Sequence, residues 1–216
     1  MATLSEAESK RRLAALGVPM LDERTVDTAS EAAAAAESIG FPVVLKLCGD
    51  AIAHKTERGL VRLNLANVDA VEAAGSELLA KATSADGPVQ LLVAPMVRGT
   101  REFIAGATRD EQFGPCVMLG VGGVLAEALA DVQIRLAPID RVDAEEMIEQ
   151  LATQKLLGDF RGEPVVDRSA LCDVLLGLSE LIATDDRIVS VDVNPLIVSP
   201  TDGRPIAVDA LVEVTP

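Results

Sequence analysis

The chain has 216 residues, 49% apolar and 25% charged, enough for one large domain or two small ones with a substantial core. That balance excludes disorder, collagen and coiled coil. Thirty-four acidic against nineteen basic residues give a formal net charge of −15, and Trp and Tyr are absent, so nucleic acid and anionic membrane are excluded as partners.

The first residues, Met1 to Glu8, carry acids where a secretory signal needs bases and an apolar run. Ser5 and Glu8 form a capping-box pattern ahead of a helix that Gly17-Val18-Pro19 closes. Thr28 and Glu31 repeat the pattern and open an alanine-rich helix ending at Gly40. Phe41 to Leu47 then reads as a buried strand, and Leu60 to Leu65 as a second. A helix over Asp69 to Thr83 and a strand over Val89 to Ala94 complete an alternating α/β half.

The seam falls near Pro95 to Thr100, dividing residues 1–97 from 98–216. Strands are predicted over Arg101 to Thr108 and Gly114 to Val121. Gly122-Gly123 leads into a short helix, Val124 to Ala130, and Asp131 and Arg135 flank the next strand as a possible ion pair. Asp143 with Glu146 caps another helix, and a longer one spans Asp167 to Ala183. Three strands close the chain: Ile188 to Val193, Leu196 to Val198 and Ile206 to Val208, the last two joined by Thr201-Asp202-Gly203-Arg204. The longest apolar stretch, Cys116 to Ala126, is too short to span a bilayer. Cys48, Cys116 and Cys172 have no metal-ligand spacing and read as free core thiols in a reducing cytoplasm.

Several residues could carry chemistry. Lys46 sits inside an apolar strand, where an ammonium must meet an anion or reach water. The anion could be a phosphate. His54, the one histidine, lies in a loop with Lys55, Thr56, Glu57 and Arg58. An imidazole can attack phosphoryl groups and nearby cations stabilise the transfer, although a surface histidine in a polar loop has the same pattern. Glu102 could accept ribose hydroxyls or pair with Arg101 at the surface. Gly120 to Gly123 could present backbone amides to an anion, with Glu127 in the helix that follows. Asp192, Asn194 and Asp209 offer oxygen ligands suited to Mg²⁺, while Asn194-Pro195 is also turn chemistry.

Taken in order, Lys46, His54-Lys-Thr-Glu57, Arg101-Glu-Phe-Ile-Ala-Gly106, Arg109-Asp-Glu-Gln-Phe-Gly-Pro115, Gly120-Val-Gly-Gly123, Glu127, Asp131, Arg135-Leu-Ala-Pro138, Arg161-Gly162, Asp192-Val-Asn-Pro-Leu196 and Asp209 resemble the β subunit of ADP-forming acyl-CoA (acetyl-CoA) synthetases. The similarity is more distant to the β chain of succinyl-CoA synthetase, and it runs from about Leu4 to Val212. It implies an ATP-grasp fold, two α/β subdomains gripping ATP or ADP, the smaller within 1–97 and the other in 98–216. Lys46, Lys55, Glu57 and Glu102 are implied as nucleotide contacts, with Pro95, Met96 and Val97 as the hinge meeting adenine. His54, Lys46 and Asp192 are implied as catalytic, His54 carrying a phosphoryl group. Asn194 and Asp209, with Asp192 beside them, are implied to hold Mg²⁺. A companion CoA-binding α subunit completes the reaction in that family, which implies a cytoplasmic hetero-oligomer.

Two departures stand beside the resemblance. Gly49-Asp50 replaces the Ser-Pro usual before the histidine loop, and Leu60 follows Gly59 where the family has a second glycine. They leave room for a nucleotide sensor without phosphotransfer, and an ATP-grasp carboxylate–amine ligase that needs no histidine is a third reading.

Overall fold

The computed structural model describes residues 2–49, 51–52, 55, 57–123 and 129–215. Their elements in chain order are β1 (Ala2–Thr3), α1 (Glu6–Ala14), β2 (Arg24–Val26), α2 (Ala29–Ile39), β3 (Val43–Cys48), β4 (Val61–Leu65), α3 (Val68–Ala80), β5 (Gln90–Pro95) and β6 (Glu102–Asp110). They continue with β7 (Gly114–Val121), β8 (Val132–Leu136), α4 (Arg141–Glu149), α5 (Arg168–Thr184), β9 (Ile188–Val198), β10 (Pro205–Ala207) and β11 (Ala210–Val214). The helix expected over 124–130 falls mostly outside the described residues. The chain forms two compact units, one of residues 3–8 and 21–96, the other of 1–2, 9–20 and 97–216. Among the described residues no helix is long and apolar enough to cross a membrane.

The unit of residues 3–8 and 21–96 is built on an antiparallel sheet ordered β2-β5-β3-β4, with α2 and α3 packed against it. Thr28 caps α2 as its sequence predicts: its hydroxyl accepts from the Glu31 N–H at 3.2 Å, and the Glu31 carboxylate accepts from the Thr28 N–H at 3.0 Å. Ala32, Ala33, Ala35 and Ala36 are buried, and small side chains let α2 approach α3 closely. A Cβ on Gly75 would stand only 3.0 Å from that of Ala29. Strand β3 is buried at every position, Lys46 included. Arg58 grips Asp86 with two bonds of 2.8 and 3.1 Å, and Asp86 also accepts from the N–H and hydroxyl of Thr83, each at 2.8 Å. Arg58 first, then Thr83, holds the Asp86 carboxyl well below the usual carboxylate range.

The second unit holds a seven-stranded sheet, β1-β11-β9-β6-β7-β8, with β10 also beside β9. Helix α5 packs on β6, β7 and β9, and α4 packs on α5 and β8. The sequence divides β9 at Asn194-Pro195, but the strand runs through. Proline lacks an N–H, and Pro195 stands where no ladder bond is needed. Pairing with β11 ends at Val193 and pairing with β10 starts at Leu196. On the other side, Asn194 and Pro195 together oppose the single residue Ile104 of β6, a bulge of one extra residue in β9.

Three side-chain expectations change. Helix α4 is capped by Asp140, with Asp143 as the reciprocal acid at the third position of its first turn, because Asp140 stands at the point where the backbone is still extended. Arg101 is 1% exposed and pairs with Glu163 at 3.1 Å, so it is no surface partner of Glu102. Asp131 accepts from the N–H groups of Ala152 and Thr153 and from the Thr153 hydroxyl, while Arg135 donates to Gln150, so the two do not pair. Cys48, Cys116 and Cys172 are free and buried as expected, and burial pushes each thiol up.

Two outcomes follow from these contacts. A Cβ on Gly99 would fall 2.5 Å from the Val198 carbonyl oxygen, a backbone atom that cannot swing aside. Gly99→Ala is expected to destabilise by about 1–3 kcal/mol, read from the urea midpoint. Asp86 has a depressed folded-state pKa, so its contribution is complete above the unfolded carboxylate value near ~4 and fades as pH falls below it. Asp86→Asn should therefore lower the thermal midpoint most at neutral pH, and the gap to wild type should narrow in acid. A gap independent of pH would count against the charge as its cause.

Candidate functional site

In the smaller unit, Lys46 projects from β3 and Lys55 from the loop after it, and both ammonium groups meet Glu6 from the first turn of α1. The distances are 2.5 Å to Oε1 and 3.0 Å to Oε2. Exposures are 1% for Glu6, 5% for Lys46 and 7% for Lys55. Three buried charges are costly unless mutually paired, so this cluster fixes all three side chains at once. Lys46 has thus met an anion within the chain, one of the two solutions its strand position allows. Glu6 escaped the sequence reading. It lies 40 residues from Lys46, and its local signal is only that of an acid in a first helical turn.

His54, with Asp50, Ala53 and Thr56, lies outside the described residues. Glu57 is exposed. The ends of that loop are tied by the Leu60 N–H donating to the Lys55 carbonyl at 2.8 Å and the Leu47 N–H donating to the Leu60 carbonyl at 3.0 Å. Pro95, Met96 and Val97 are half-buried, and the Met96 N–H donates to the Pro42 carbonyl at 3.0 Å.

In the larger unit the pairing of β9 with β11 brings Asp192, Asn194 and Asp209 into one neighbourhood. The Asn194 N–H donates to the Asp209 carbonyl at 3.3 Å, and Val193 lies across from Ala210. The protein around Asp192 pushes its carboxyl up by desolvation, and the charge of Asp209 adds to the rise. Two carboxylates that repel each other beside an amide form a hard-oxygen donor set, which fits Mg²⁺. Among the described residues no cluster of three His, Cys, Asp or Glu offers an alternative. Glu102, at the start of β6, lines a cleft of about 320 Å³ with Gly122, Gly123, Phe160 and Arg161. Its carbonyl accepts from the Gly122 N–H at 2.7 Å, and a Cβ on Gly122 would press on the Glu102 backbone at 3.1 Å. That contact explains one glycine of the pair. Glu127 falls outside the described residues.

The sequence profile of the ATP-grasp domain matches residues 1–214. The chain belongs to the ATP-grasp family. Among ATP-grasp relatives it is similar to the β subunit of the ADP-forming acetate–CoA ligase II of Pyrococcus furiosus, 36% identical over 209 residues, which covers 95% of the chain and 89% of that subunit. It is equally similar, 36% over 198 residues, to the ADP-forming 4-hydroxybutyrate–CoA ligase of Nitrosopumilus maritimus, covering 90% of the chain but only 28% of that longer protein. Among solved ATP-grasp structures it matches a dinucleotide-forming acetyl-coenzyme A synthetase 1 of Ca. Korarchaeum cryptofilum with a TM-score of 0.81 and 36% identity, over 97% of this chain and 92% of that one. That structure is a complex with coenzyme A and Mg-AMPPCP, its phosphohistidine segment pointing towards the nucleotide-binding site.

Removing Glu6 would leave two ammonium groups buried together. Glu6→Gln is expected to destabilise by roughly 3–5 kcal/mol in urea unfolding. Pairing Glu6→Leu with Lys46→Met should recover part of it. A loss below about 1 kcal/mol would mean that water reaches the cluster.

Proposed function

We propose that this chain is the nucleotide-binding subunit of an ADP-forming acyl-CoA synthetase, an acid–CoA ligase completed by a CoA-binding α partner in the cytoplasm. The observation that carries the reading is the likeness to a separate β subunit across 89% of that subunit's length. The residue types present support it in kind. The three groups that phosphoryl transfer needs are a cation for phosphate, a nucleophile and a set of metal-binding oxygens. Lys46 and Lys55 are buried cations, His54 stands next to Lys55 in sequence, and Asp192, Asn194 and Asp209 are the oxygens.

In this reading Lys46 and Lys55 act on the phosphates of ATP or ADP, sharing their charge with Glu6. Glu57 lies in the same loop, and Glu102 accepts ribose hydroxyls. Pro95, Met96 and Val97 meet the base through backbone and apolar contact. An imidazole nitrogen of His54 attacks the γ-phosphorus, the N–P bond forms, the bond to the bridging oxygen breaks, and ADP leaves. Asn194 and Asp209, with Asp192, would hold Mg²⁺, which when bound supplies positive charge against the phosphates. In so acidic a chain that charge has few other sources. The acyl and CoA chemistry falls to the partner.

The test is incubation of the purified chain with radiolabelled ATP and Mg²⁺, comparing wild type with His54→Asn. Acid-labile label is expected on the wild type and none on the variant. Equal label on both would remove His54 from the reaction. Nucleotide binding without label, with an α partner present, would favour the sensing role.

A further inference from the structure

The Arg161-Gly162 pair has no part in the assignments above, yet the structure builds a loop around it. Phe160 and Glu163 exchange backbone hydrogen bonds of 3.2 and 3.0 Å across these two residues. Both residues are left-handed, with φ of 54° for Arg161 and 81° for Gly162. Two successive positive φ values are the geometry of the tightest hairpin turn, where Asn-Gly or Gly-Gly is the relaxed choice. Arginine there is strained, and such strain persists where the surroundings impose it and the side chain is needed.

The surroundings do impose it. The buried Arg101 donates to Glu163 at 3.1 Å and to the carbonyls of Leu156, Gly158 and Pro164 at 3.2, 3.0 and 2.6 Å. Thr100 donates to the other Glu163 oxygen at 2.8 Å. The whole loop is thereby held from within. At its tip the Arg161 guanidinium lies over the Phe160 ring, 5.5 Å from its centre. Among the described residues it has no acid partner. It lines the cleft of about 320 Å³ that also holds Glu102.

We propose that Arg161 recognises a phosphoryl group bound in this cleft. A guanidinium presents a planar fork matched to two phosphate oxygens, and a stacked ring holds that plane in place. In a chain of net charge −15, an exposed cation without an acid partner at a concave site is what an anion would require. Glu102 on the same cleft accepts hydroxyl donors, so one wall reads hydroxyls and the other reads phosphate. The assignment deepens the nucleotide-subunit reading and rests on it for the source of the phosphate. That source is either a nucleotide or a free phosphate.

Calorimetry on the full chain with ADP and with inorganic phosphate, each with Mg²⁺, tests it against Arg161→Gly and Arg161→Lys. Glycine takes φ of 54° without strain, so Arg161→Gly should keep or raise the thermal midpoint. Its ADP affinity should fall at least tenfold, with part restored in Arg161→Lys. A fall confined to inorganic phosphate would assign the free ion as the ligand and keep the proposal. Unchanged affinity for both probes, whatever the midpoint does, would overturn it. If the wild type binds phosphate but not ADP and Arg161→Gly loses that binding, the nucleotide reading falls and Arg161 stands. A wild type that binds neither probe overturns both.

Discussion

A cation withdrawn from water must take an anion or carbonyl oxygens with it, and each unit of this chain meets that constraint. In the smaller unit Glu6 receives Lys46 and Lys55. In the larger one Arg101 is satisfied by Glu163 and three backbone carbonyls. Each arrangement fixes segments that ordinary apolar packing leaves free. The first ties the turn of α1 to β3 and to the loop bearing His54. The second shapes residues 156–164, which make no regular strand or long helix of their own.

The oxygen-rich end of the larger sheet depends on a different restriction. Proline cannot donate to a ladder, so a long central strand tolerates Pro195 only where its neighbours change over. At that changeover β11 hands pairing to β10, and the opposite strand slips register. Asp209 continues the β11 register opposite Asn194, on the face that carries Asp192, and its charge adds to the desolvation that raises the Asp192 carboxyl.

Much of this fold was legible in the sequence, because its signals are local. Thr28 with Glu31, Asp167, Gly40 and the β-branched run at Val43 each act within a few residues. Short polar strands such as β2 carry no such signal, and β11 carries only a brief alternation of buried residues. The site was legible as a set of residue types and much less as a set of partners. Glu6 and Lys46 lie 40 residues apart, and Arg101 finds Glu163 at a separation of 62 rather than its neighbour Glu102. Pairings of that range are decided by which cations the sheets bury, and no periodicity records it. The likeness to known β subunits supplied roles that the pattern alone left open.

The three buried thiols have a practical consequence. A protein without Trp or Tyr is almost silent to intrinsic fluorescence. Its cysteines are protonated and shielded while folded, so a thiol reagent reads only molecules that have opened. Cys48 belongs to one unit and Cys116 and Cys172 to the other. Labelling followed by peptide mapping would therefore act as two separate clocks, one for the opening of each half of the chain.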